Sequence, residues 1–143
     1  MAPVATGTES IEKTVQLTHE WINEIEKELQ VHDKHFALQS LRAVLHVLRD
    51  RLPVQEAAHL GSQLPLLIRG IYYENFSPHL LPVRDRKAEE FLGRILEQMP
   101  GWDILDPERI TRSVFQVLKR HVSEGEIRDV RANFPKSIAP LWD

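Results

Sequence analysis

Displaced by 70 positions without a gap, residues 20–73 of the chain lie over residues 90–143, and ten of the 54 pairs are identical. The identical pairs begin at Glu20, Ile25, Asp33, Arg42, Val44, Val47, Leu48, Glu56, Pro65 and Ile68. Ordinary composition would supply roughly three or four by chance. The similar pairs constrain the fold further: Trp21 lies over Phe91, Leu29 over Met99, Leu60 over Val130, Leu64 over Phe134 and Tyr72 over Trp142. Large apolar residues are thus repeated at matching positions, so one core layout is written twice. LLIRGIYY, which follows Pro65, and KSIAPLW, which follows Pro135, become the same closing element of two halves.

The repeated unit is helical. From about Glu9 to Gln30, Val15, Trp21, Ile22, Ile25 and Leu29 recur at three- and four-residue intervals, the stripe of an amphipathic helix. A second helix is expected from about Lys34 to Leu52, with Asp33 as its N-cap and Leu38, Leu41, Val44, Leu45, Leu48 and Leu52 inward. Pro53 ends it and opens a third over Val54–Gln63; Pro65 opens a fourth over Leu66–Tyr73. Residues 74–84 hold two prolines and no period, and read as a linker. The second half predicts helices over Asp85–Met99, from Asp106–Pro107 to about Val122, and from Ser123 to a stop before Pro135. A short last helix covers Lys136–Trp142. Ser123 and Glu126 have the spacing of a capping box. No segment alternates with period two long enough to compete. The expectation is a single all-α globular domain of two tandem, pseudo-two-fold related helical half-repeats, about 9–73 and 85–143, preceded by a flexible tail at residues 1–8.

A chain of 143 residues can bury a core without metal or disulfide, and the absence of cysteine excludes thiolate sites and cysteine nucleophiles. The first ten residues lack the charged and apolar regions of a secretory signal, and no apolar run reaches membrane-spanning length. With a net charge of −3, general attraction to nucleic acid or anionic lipid is disfavoured. A soluble, cytoplasmic protein is expected.

The block LRAVLHVLRDRLPVQEAAHLGSQLPLLIRGIYYE, together with HVSEGEIRDVRANFPKSIAPLW and the opening TVQLTHEWINEIEKEL, resembles the bacterial family catalogued as domain of unknown function 2267. The resemblance runs from about Thr14 to Trp142. It implies a helical, soluble, bacterial protein with no assigned catalytic activity, and supplies no functional residues.

Three constellations remain. Glu56 and His59 have the E-x-x-H spacing that puts a carboxylate and an imidazole on one helix face, as in di-iron bundles; His32 and His35 lie in HDKH. These four are the candidate metal ligands, against the simpler reading that they are solvated helix-surface residues; no cofactor is expected. Arg42 and Arg49, repeated as Arg112 and Lys119, form paired basic faces suited to a phosphate backbone, and residues 107–136 hold seven basic against four acidic side chains. Interleaved aromatics are missing, and the arginines have Asp50, Glu56 or Glu126 as available partners. Finally, Arg69, Tyr73 and Phe76 are anchor types favoured in interfaces and are the candidate partner contacts, while Tyr72 can equally be core. No nucleophile elbow or phosphate-binding loop occurs, so no catalytic residue is assigned. The leading functional expectation is a non-catalytic protein-interaction or stress-associated accessory module, binding another protein or itself. A nucleic-acid-binding protein, or an enzyme or metal-binding bundle without a recognisable motif, is the alternative.

Overall fold

In the computed structural model, which describes residues 7–102 and 105–143, the chain is all-α: seven α-helices, two 3-10 turns and, among the described residues, no strand. The helices are α1 (Glu9–Leu29), α2 (Lys34–Arg51), α3 (Val54–Ser62), α4 (Leu66–Tyr72), α5 (Ala88–Glu97), α6 (Pro107–His121) and α7 (Glu124–Arg131). The 3-10 turns are Pro78–Leu80 in the linker and Ala139–Trp142 at the end. Residues 1–6 of the expected tail lie outside the described residues. Among the described residues, no helix is long and apolar enough to cross a membrane.

Helix starts follow the capping chemistry of the sequence. The Asp33 side chain accepts from the Phe36 amide, Asp106 accepts from the Arg109 amide with Pro107 at the first helical position, and Ser123 accepts from the Glu126 amide. Three expectations need correction. The helix expected from Asp85 begins at Ala88, because Asp85 is buried and its carboxylate is held 2.8 Å from Arg94 Nε. The last helix shortens to the 3-10 turn Ala139–Trp142, where Pro140 has no amide for an α-helical ladder. The capping box is half made: Ser123 caps the Glu126 amide, but the Glu126 side chain turns into the protein.

α2 and α6 cross at the centre, α1 packs on both, and α5 packs on both. α1 therefore reaches into the second half and α5 into the first. The Gln39 amide donates to Gln98 O, while Arg109 donates to Leu29 O, tying those crossings at their ends. The core includes Trp21, Ile25, Leu41, Val44, Leu45, Leu48, Phe91, Ile95, Val114, Phe115, Leu118 and Trp142, all buried. Fully burying an aliphatic or aromatic side chain of this size contributes about 1.5–3 kcal/mol, so this interior sets the helix arrangement. The linker is not loose: Val83 N donates to Asp50 O at 2.7 Å and Arg51 Nη1 to Val83 O at 2.9 Å, which seats it on the end of α2.

Candidate functional site

Four of the basic residues that the sequence sets out as exposed faces have internal work. Arg49 is 3% exposed; its Nη1 donates to Tyr72 O and Glu74 O, and its Nε to Asp50. Lys119, its counterpart, donates to Trp142 O at 2.6 Å. Arg42 pairs with Glu74, and Arg112 donates to Pro140 O, Asp143 O and Glu108. Arg49, Lys119 and Arg112 satisfy carbonyls at the C-terminal ends of the closing elements, where helix geometry leaves acceptors and partial negative charge. A free basic stripe for phosphates is therefore not what the fold presents. Of the carboxylates offered as partners for the arginines, Asp50 serves; Glu56 and Glu126 have no arginine or lysine within ion-pairing distance among the described residues.

The candidate partner contacts also have intramolecular roles. Arg69 donates to Gly61 O, Ser62 O and Leu64 O, closing the end of α3. Tyr72 is buried and its hydroxyl donates to Ala57 O at 2.7 Å. Half-buried Tyr73 stands edge-on to Tyr72 and to Phe76, and Arg49 lies over the Phe76 ring. The Tyr73 hydroxyl would sit 2.6 Å from a Cβ at Gly61, so any side chain there would have to displace the ring. Exposed apolar surface gathers beside them instead. Ile11 (58% exposed) and Val15 on α1 face Leu66 (60%) and Leu67 on α4 across a shallow groove of about 490 Å³ that Glu74 also lines.

The cluster with the most chemistry lies where α3 meets α7. Glu56 and Glu126 occupy the first turns of these helices, and His59 follows Glu56 by three positions. His59 Nδ1 lies 2.7 Å from Glu126 Oε1 and 3.6 Å from Glu56 Oε2. The Glu126 side chain is 0% exposed whereas His59 is 59% exposed, so the imidazole lids a buried carboxylate. Glu126 Oε2 and Glu56 Oε2 are buried without a hydrogen-bond partner, while the His59 imidazole faces Glu126 Oε1. Burial is the main reason the Glu126 carboxyl is pushed up to about 8; next comes the Glu56 carboxyl, which hydrogen-bonds to it when a proton is present. A proton shared between two close carboxyls is the ordinary response of such a pair. Gln63 clamps the two helices beside the cluster, accepting from Ser123 N and donating to Ser123 Oγ.

Among the described residues, Glu56, His59 and Glu126 form the one group of three metal-ligating side chains close enough to share an ion. The E-x-x-H spacing of Glu56 and His59 was legible in the sequence; Glu126 was hidden by its reading as a cap. His32 and His35 are elsewhere. His32 lines a surface hollow at the end of α1, and the His35 ring lies against Trp102, 5.4 Å between centroids.

Residues 18–141 match the family model described as an uncharacterized conserved protein, DUF2267. No curated protein matches the chain.

Proposed function

The chain belongs to the DUF2267 family, and from that premise we propose that it is a non-catalytic helical interaction module whose docking face is the groove between α1 and α4. One observation carries this reading. Of the large apolar side chains exposed among the described residues, Ile11, Val15, Leu66 and Leu67 lie side by side, while Val54, Leu80 and Leu96 sit on three other elements. Ile11 and Val15 are one helical turn apart, and Leu66 and Leu67 supply the opposite wall. Two short apolar walls of this kind suit a single amphipathic helix laid in a groove. The patch is short of the roughly 800 Å² per partner that a stable dimer buries, which favours a short segment over a second copy. Glu12 neighbours Ile11 on α1, while Glu74 at the groove is already paired with Arg42, so Glu12 favours lysine or arginine at that edge of a partner helix.

Selection of helical peptides displayed against the full chain tests this. Recovered peptides are expected to carry apolar residues at i, i+3 or i+4 and i+7 with basic flanks. Their binding should fall at least tenfold on Leu67→Asp or Val15→Asp, with unchanged circular dichroism. Failure to select such peptides, or binding indifferent to both substitutions, would overturn the reading. A concentration-dependent dimer abolished by Leu67→Asp would do so too, by assigning the groove to a second copy.

A further inference from the structure

We propose that Glu56, His59 and Glu126 bind one divalent transition-metal ion of the zinc class, bridging α3 to α7. The three donor atoms lie within 4.8 Å of one another, with the imidazole nitrogen 2.7 Å from one carboxylate oxygen and 3.6 Å from the other. A tetrahedral zinc ion with bonds of about 2.0–2.1 Å holds its donors roughly 3.3 Å apart. The two histidine-carboxylate separations fall on either side of that value and the carboxylate-carboxylate separation is within 4.8 Å, so small side-chain rotations assemble three of four positions.

Burial supplies an independent argument. An ionised carboxylate removed from water needs a partner charge or several hydrogen bonds. The Glu126 side chain has no accessible surface, its Oε1 is faced by His59 Nδ1 at 2.7 Å, and its Oε2, like Glu56 Oε2 beside it, is buried without a hydrogen-bond partner. Among the described residues, no lysine or arginine forms an ion pair with either. Structural carboxylates in this fold are treated differently: Asp85, also buried, has Arg94 at 2.8 Å. Two acidic side chains packed together with only a histidine to face them make a cation site complete in ligand type.

The donor set selects the ion. One imidazole nitrogen with two carboxylate oxygens suits zinc and its first-row neighbours, whereas calcium and magnesium take all-oxygen shells. The frame is rigid on both sides. Glu56 and His59 share a face of α3, Glu126 is fixed by the Ser123-capped first turn of α7, and Gln63 bonds across the gap. His59, mostly exposed, provides the way in and leaves the fourth position to water. The site is separate from the α1–α4 groove and stands or falls independently of it.

The test is calorimetric titration of untagged, chelator-treated full-length protein with zinc chloride. One ion per chain is expected, with the affinity reduced at least tenfold by Glu126→Gln and by His59→Ala. Neither substitution should unfold the chain: the first removes a carboxylate from a buried acidic pair, and the second alters an exposed residue. Circular dichroism of each variant checks this. Sub-stoichiometric binding would overturn the proposal. So would one-to-one binding that survives both substitutions, or that is lost only on replacing His32 and His35 together.

Discussion

The two halves of the chain match at several buried apolar positions and differ in what some of their polar residues do. Val44 and Val114, Leu45 and Phe115, Leu48 and Leu118, Ile68 and Ile138, and Tyr72 and Trp142 are all buried, each pair 70 residues apart. The closing elements are tethered alike: Arg49 donates to Tyr72 O, and Lys119 to Trp142 O. The rings then differ. Tyr72 turns its hydroxyl onto Ala57 O, while Trp142 stacks on Phe115 with centroids 3.7 Å apart. At the junction of α3 and α7 the carboxylate is kept in both halves, as Glu56 and Glu126, but His59 faces Asp129 across the repeat. The lesson is that matching apolar residues preserve a core, whereas the carboxylate pair kept at this junction, which an apolar pair would outdo for stability, points to a use other than folding.

The comparison breaks most readily in the core. Leu48→Ala and Leu118→Ala should each cost about 2–5 kcal/mol in urea unfolding, because both side chains are fully buried on the crossing helices. Equal roles demand similar losses; a negligible cost at either site would make that half a passenger. The tethers should differ next. Arg49→Met leaves Tyr72 O, Glu74 O and Asp50 without a buried donor and is expected to cost about 2–3 kcal/mol. Lys119→Met removes one bond to Trp142 O and should cost about 1 kcal/mol. A larger loss at Lys119 would reverse the ranking of the two ends.

Acid and base sharpen the contrast in the metal-free protein. The Glu126 carboxyl is raised by burial, so the folded chain keeps a proton that the unfolded chain releases above its ordinary value of 4.5. Its contribution is complete below 4.5 and is lost as pH rises towards about 8, at no more than about 1.4 kcal/mol per pH unit. His46 behaves oppositely. Burial between α2 and α4 lowers it, aided by nearby Arg49 and opposed by its bond to Ile71 O and by Glu74. Stability from neutral His46 is present above 6.5 and lost as pH falls through the folded value. Chemical denaturation across pH 4–9 should therefore flatten on the alkaline side in Glu126→Gln and on the acid side in His46→Gln, which installs the residue found at the matching position 116. Unchanged profiles in both variants would contradict these assignments.

Much of this architecture could be read from the chain. Asp33, Asp106 and Ser123 announce helix starts because a cap bonds within its own turn and needs no distant partner. Residues whose meaning depends on a facing helix could not be read. Glu126 satisfies a local capping pattern, and only the packing of α7 on α3 turns its side chain towards His59. Arg49 and Lys119 look like surface charge until the closing elements bring carbonyls to them. Asp85 resembles a helix start until Arg94 is seen to hold it. Long-range partners, not local propensity, decide such positions.

The most direct measurement is an anomalous difference map at the zinc absorption edge, from crystals of the untagged protein loaded with one equivalent of zinc. The account predicts a single peak between α3 and α7, about 2.0–2.1 Å from His59 Nδ1 and from one oxygen each of Glu56 and Glu126. A map featureless at that junction, or with its peak at His32 and His35, would contradict it.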